Sequence, residues 1–92
     1  MKLWTVWSDY FATGEGVTYS AIIGYAKNAK GAKKLFANKF NEYLAIGCEA
    51  EEGVVKNGIT KFIFSDELLK AIKKAENKAN LVAYGEYHEN RS

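Results

Sequence analysis

The sequence predicts an α+β fold, a two-layer sandwich in which a mainly antiparallel sheet of four to five strands carries two helices on one face. Three short segments are rich in Trp, Tyr, Phe and Val, as β-strands are, at 2–11, 17–27 and 81–89. Two other stretches place apolar residues at helical spacing. The predicted order is β-β-α-β-β-α-β. A chain of 92 residues predicts a single compact domain, 1–92, with 89–92 as a frayed tail.

The first two predicted strands form an antiparallel hairpin. The loop that joins 2–11 to 17–27 reads ATGEG and contains glycine, which is typical of hairpin connections. Its G-x-G pattern does not indicate a phosphate-binding loop, because that loop leads from a strand into a helix. Glu15, between the two glycines, would also repel a phosphate group.

The next segment predicts one long helix over 29–46. Asn28 stands where a side chain can cap the helix N-terminus, and Gly47 stands where a left-handed residue can end it. The apolar residues at helical spacing are Ala29, Ala32, Phe36, Phe40 and Tyr43.

The second half of the chain predicts a hairpin, a helix and a strand. Asn57-Gly58 is a strong signal for a tight turn and predicts pairing of 53–56 with 59–64. Ser65 is the expected cap of a helix that runs to Ala79. The inward residues of that helix would be Leu68, Leu69, Ile72, Ala75 and Ala79.

The segment LWTVWSDYF (3–11) carries apolar side chains on both faces of the first strand. Each helix has one apolar stripe, so the two helices would cover one face and leave the other without a covering element. We therefore expect a non-enzymatic interaction protein, with an aromatic sheet face that binds a second copy in a homodimer or another protein partner. A tryptophan covered by a loop is the other way to bury this surplus. The candidate partner-binding residues are Trp4, Trp7, Tyr10 and Tyr84.

Lysine-rich helix surfaces offer an alternative function. If the helices pack side by side, their outer faces would form one basic surface that could bind RNA or single-stranded DNA weakly, with sheet aromatics stacking on bases. Arginine, the usual residue for base and phosphate contacts, occurs once, at Arg91, and the net charge is +2. The lysines concerned are Lys30, Lys34, Lys70, Lys73 and Lys74.

The sequence does not indicate catalysis. Cys48 and His88 are the only residues of their types, so a metal site lacks its usual cluster of ligands and the thiol lacks a neighbouring base. We expect no enzyme activity, no cofactor and no metal. One cysteine, and no segment typical of a signal peptide or a membrane span, predict a cytoplasmic protein with no membrane partner.

In size and element order the chain is similar to small α+β proteins of bacteria and phages, some of which inhibit a larger complex by binding it. No motif carries this similarity, and it names no family.

Overall fold

The computed structural model describes residues 1–12, 16–75 and 81–90, and its four strands form one antiparallel sheet in the order β3-β1-β2-β4. The strands are β1 (Lys2–Ala12), β2 (Gly16–Ala26), β3 (Glu49–Glu52) and β4 (Leu81–Asn90). The helices are α1 (Ala29–Lys39), α2 (Glu42–Ile46), a 3₁₀ helix (Thr60–Ile63) and α3 (Asp66–Ala75). The α+β class and the antiparallel four-stranded sheet are confirmed.

The hairpin of the first two strands is confirmed as well. β1 and β2 pair along their whole length, with Val6 opposite Ile22. The connecting residues 13–15 lie outside the described part of the chain. Strand β2 continues the sheet to β4, and β1 continues it to β3.

Helix α1 covers the sheet face that carries Val6. Phe36 and Ala32 of the helix are buried, and they pack with Val6, Ile22 and Cys48 in one cluster. The predicted cap is confirmed, since the Asn28 side chain accepts a hydrogen bond of 2.9 Å from the Gly31 N–H. We call this side of the sheet the α1 face.

The prediction of one helix over 29–46 is wrong, because the helix is interrupted at Phe40 and Asn41. The Asn41 side chain accepts a hydrogen bond of 2.8 Å from the Leu44 N–H and so begins α2 as a separate helix. Tyr43, predicted as inward on the single helix, lies on α2 and is 67% exposed. Gly47 ends α2 with a φ of −100°, so the predicted left-handed cap is wrong too.

The predicted hairpin of 53–56 with 59–64 does not form. Instead the glutamate-rich residues Glu49–Glu52 form β3, and the chain then crosses the sheet as an irregular segment that ends in the 3₁₀ helix. The Asn57 side chain accepts hydrogen bonds from the N–H groups of Ile59 and Thr60, at 2.7 and 2.8 Å. It therefore caps the 3₁₀ helix, where the sequence predicted a two-residue turn.

This segment, residues 53–64, covers the second face of the sheet, which the sequence left without a covering element. The Thr5 hydroxyl donates a 2.7 Å hydrogen bond to the Gly53 carbonyl and accepts a 3.0 Å hydrogen bond from the Val55 N–H. Trp7, on the same face, is 8% exposed. The inference of an open aromatic face beneath β1 is therefore wrong.

Helix α3 begins as predicted and packs beside β4. The Ser65 hydroxyl accepts a 3.3 Å hydrogen bond from the Leu68 N–H, and Leu68 is buried while Leu69, predicted as inward, is 59% exposed. The predicted extension of this helix to Ala79 lies outside the described residues. Strand β4 runs to Asn90, so residues 89 and 90 are paired with β2, which corrects the predicted frayed tail at those positions.

Candidate interaction surface

Tyr84 is a predicted partner-binding residue that the structure leaves exposed. It lies on β4 opposite Ile22, which places it on the α1 face, and it is 54% exposed. The Lys39 ammonium group, at the C-terminal end of α1, lies 3.6 Å from the centre of the Tyr84 ring. This contact between a cation and an aromatic face holds the ring at the margin of α1.

His88 and Glu86 continue the same face of β4 beyond Tyr84. Both side chains are exposed, and the Nδ1 atom of His88 is 2.9 Å from the Thr18 hydroxyl of β2. This bond orients the imidazole and leaves its Nε2 atom as the ring nitrogen that is available to another molecule. We call Tyr84, Glu86 and His88, together with Lys39, the β4 surface.

The opposite face of β4 carries a second exposed aromatic residue. Tyr87 is 49% exposed, and its ring stacks on Tyr19 of β2 with centres 6.3 Å apart and planes 2° from parallel. It also stacks on Phe62 of the 3₁₀ helix at 5.9 Å. Strand β4 thus presents an ordered, half-exposed tyrosine on each of its faces.

Trp4 and Trp7 lie on opposite faces of the sheet, because odd and even positions of a strand project to opposite sides. Neither residue belongs to the exposed surface of β4. Trp4 lies on the α1 face, packs against the core cluster and donates a 3.2 Å hydrogen bond from its Nε1 atom to the Ala26 carbonyl. Trp7 is buried on the other face, as described above. The backbone of Tyr10 pairs with Thr18, and its side chain lies outside what the structure describes.

Glu86, Tyr87 and His88 were not among the predicted partner-binding residues. Tyr87 was one of several aromatic residues in the predicted strands, and residues 89–92, which begin two positions beyond it, were expected to be a frayed tail. Their importance comes from the position of β4 at the edge of the sheet, which depends on the order of the strands in space.

The lysines of the alternative function lie on two separate elements. Helix α1, with Lys30 and Lys34, packs on β1, β2, β3 and α2, whereas α3, with Lys70, Lys73 and Lys74, packs on β4. All five side chains are exposed. Over residues 29–39 and 66–75, which the structure describes, the two helices do not pack side by side as the alternative function supposed, so these five lysines lie on two separate surfaces.

Cys48 is placed as a core residue. It is 5% exposed, and burial raises the pKa of its thiol, an effect that the charge of Lys33 partly offsets. A raised pKa keeps the thiol protonated and therefore a poor nucleophile at neutral pH. Cys48 precedes β3 at one edge of the sheet and His88 lies on β4 at the other edge, so the two cannot act as a pair.

Within the described ranges, no group of three or more His, Cys, Asp or Glu side chains is arranged to hold a metal ion. Among the same residues, no helix has the length and apolar character needed to cross a membrane. No protein-family model, curated protein or solved structure significantly matches this chain.

Proposed function

We propose that this protein is a non-enzymatic interaction module and that the β4 surface binds another protein chain. The observation that carries the proposal is the ordered exposure of Tyr84, whose ring is held by Lys39 at 3.6 Å while more than half of its surface stays accessible. Tyrosine gives a large contact area at a small cost in conformational entropy, and such residues often contribute most to binding.

The polar neighbours of Tyr84 favour a protein partner over a nucleic acid. Glu86 follows on the same face of the strand, and Glu89 is exposed two residues beyond Tyr87. These carboxylates would repel a phosphate backbone that approached Tyr84, and the lysines of α1 and α3 are not joined into one track. A mixed set of one cation, two carboxylates and tyrosine side chains is typical of the margin of a protein interface.

Core placement of Cys48 supports the non-enzymatic part of the proposal, since the chain's one thiol is buried and protonated at neutral pH. A free, reduced cysteine is also compatible with the proposed cytoplasmic location.

Analytical ultracentrifugation at micromolar concentration, combined with affinity capture from the native host, tests this function. We expect Tyr84→Ala to reduce self-association, or retention of a specific protein, by at least about tenfold, which corresponds to the contribution of a strong interface tyrosine. Tyr43→Ala is the matched control, because it removes a tyrosine that is 67% exposed on α2. Thermal unfolding of both variants checks that they fold.

Equal behaviour of the wild type and Tyr84→Ala in both assays would contradict the proposal. Binding of a single-stranded oligonucleotide that weakens steeply with salt and requires Lys30 and Lys34 would instead favour the nucleic-acid alternative.

A further inference from the structure

We infer that the partner is a second copy of this chain, joined edge to edge through β4 in an antiparallel register centred on Tyr87. This inference rests on the proposed function, because the pairing strand is the one that carries the β4 surface. It would make one continuous sheet of the two four-stranded sheets.

The two edges of the sheet differ in how far they are protected against such pairing. Strand β3 has four residues, three of which are exposed glutamates, and Glu52 forms a 3.1 Å ion pair with Lys2. Strand β4 has ten residues, of which two are glutamates, and contains neither lysine nor proline. Short strands in which most side chains are charged discourage pairing with another chain, whereas a long edge strand with few charges and no lysine or proline favours it. The β4 edge is therefore the one suited to a partner.

Helix α3 leaves the second half of this edge accessible. The helix and β4 line a common pocket of about 420 Å³, in which the β4 residues are those from Ala83 to Glu86. Residues 87–90 lie beyond that pocket and are all exposed. A register centred on Tyr87 places most of the pairing in this accessible half.

Hydrogen bonding within the sheet determines which peptide groups of β4 point outward. The Leu3 carbonyl accepts a hydrogen bond from Gly53, so the odd residues of β1 direct their peptide groups toward the β3 side. Because the direction alternates along each antiparallel strand, the even residues of β1 and β2 bond to each other, and the odd residues of β2 bond to β4. The even residues of β4 therefore direct their N–H and C=O groups to the free edge.

Two-fold registers that satisfy these outward groups are centred on a residue, because even residues must pair with even residues. The three nearest to Tyr87 have their centres at Glu86, Tyr87 and His88. A centre at Glu86 would place the two Glu86 carboxylates directly opposite each other, which is unfavourable. A centre at His88 would place the two imidazoles opposite each other and leave Glu86 facing Asn90. A centre at Tyr87 places Glu86 opposite His88 of the second copy, twice.

The register centred on Tyr87 is thus the one in which the side chains complement each other. The Nδ1 atom of His88 is already bonded to Thr18, so its Nε2 atom is free to meet the Glu86 carboxylate across the edge. On the opposite face, the two Tyr87 rings become direct neighbours, and Tyr84 lies beside Asn90 of the other copy. Cross-strand pairs of this kind each stabilise a sheet by about 0.2–1 kcal/mol.

Cysteine substitution distinguishes the three registers in the full chain. The Cα atoms of directly opposite residues lie about 4.5–5.5 Å apart, which is within the range for a disulfide. The Cα atoms of residues displaced by two positions are too far apart for one. We expect Tyr87→Cys to form a disulfide-linked dimer under mild oxidation, and Glu86→Cys and His88→Cys to stay at the level of the wild type. The wild type, with its buried Cys48, gives the background. A linked dimer from Glu86→Cys or His88→Cys, and not from Tyr87→Cys, would overturn the register.

Proline tests the backbone pairing itself. Glu86→Pro removes an outward N–H group and leaves the hydrogen bonds between β2 and β4 in place, so we expect a folded monomer by sedimentation. Glu86→Gln keeps the N–H group and an acceptor side chain, and it should remain a dimer. A dimer that survives Glu86→Pro would overturn edge pairing.

The inference would also be overturned if the wild type were monomeric at every accessible concentration and none of the cysteine variants formed a disulfide-linked dimer. The proposed function is tested separately by capture of a different protein that depends on Tyr84, so the failure of one is distinguishable from the failure of the other.

Discussion

The hydroxyl of Thr5 donates a 2.7 Å hydrogen bond to the carbonyl oxygen of Gly53, which fixes the start of the 53–64 segment against β1. The same hydroxyl accepts from Val55, so one fully buried side chain satisfies both a backbone acceptor and a backbone donor of the crossing segment. This arrangement explains how an irregular segment can cover an aromatic sheet face without leaving buried polar groups unpaired.

Replacement of this hydroxyl should destabilise the fold. Thr5→Val keeps the shape of the side chain but leaves the Gly53 carbonyl and the Val55 N–H without their partner, so we expect the free energy of unfolding to fall by about 1–3 kcal/mol. Urea denaturation measures this change. Thr18→Val is the control, because its hydroxyl bonds an exposed histidine, and it should change stability by no more than about 0.5 kcal/mol. Equal losses for both variants would contradict the role assigned to Thr5.

Local signals were sufficient to predict the strands and the caps. Their content of aromatic residues and valine predicted β1, β2 and β4, and Asn28 and Ser65 cap their helices as expected. These features depend on a few neighbouring residues, which the sequence displays directly. The class of fold follows from them, because one antiparallel sheet and amphipathic helices have few ways to bury their apolar surfaces.

What the sequence could not predict depends on contacts between distant residues. Glu49–Glu52 has low strand propensity, yet it forms β3 because it pairs with β1. Either Trp4 or Trp7 was expected at the binding face, and which face of β1 is covered depends on the path of residues 53–64. The β4 surface was only partly predicted, through Tyr84, since an edge strand is defined by the order of strands in space.

Asn57 and Gly58 show how a strong local signal can predict the wrong structure, and they allow a direct test. Gly58 does not adopt a positive φ, and a Cβ atom at this position would have no heavy atom within 4 Å. We therefore expect Gly58→Ala to change stability by no more than about 0.5 kcal/mol, whereas a type I′ turn would require a glycine-like conformation there. Asn57→Ala removes the cap of the 3₁₀ helix and should cost about 1 kcal/mol.

Chemical denaturation of the two variants measures this contrast. A large loss for Gly58→Ala would indicate the two-residue turn and would contradict the capping role of Asn57.

Gly85 marks the close approach of the 3₁₀ helix to β4. A Cβ atom at this position would lie 3.0 Å from the Phe62 ring and 3.1 Å from the Ile63 side chain. Gly85→Ala should therefore push the 3₁₀ helix away from the sheet and reduce the free energy of unfolding by about 1–3 kcal/mol. For a domain of this size, each 1 kcal/mol lowers the melting temperature by about 4–8 °C, which calorimetry resolves readily.

The control for Gly85 is Gly47→Ala, because Gly47 has a negative φ and no heavy atom near its missing Cβ. We expect the melting temperature of this variant to stay close to that of the wild type. A similar shift in both variants would mean that the effect at Gly85 does not come from its contact with the 3₁₀ helix.

Cys48 should make stability depend on pH in the alkaline range. Burial raises the pKa of its thiol above the ordinary value of 9.0, and the nearby Lys33 charge opposes this only in part. In the unfolded chain the thiol ionises at its ordinary pKa, so above about pH 9 the folded protein binds more protons than the unfolded one. The stabilisation by the buried thiol is thus complete below that pH and is lost as the pH rises through the folded-state pKa. Thermal unfolding between about pH 8 and pH 10.5, under reducing conditions, should show a steeper decline for the wild type than for Cys48→Ala, because the two proteins differ only in the buried thiol. Parallel declines would mean that the thiol ionises as readily in the folded protein as in the unfolded chain, contrary to its placement in the core.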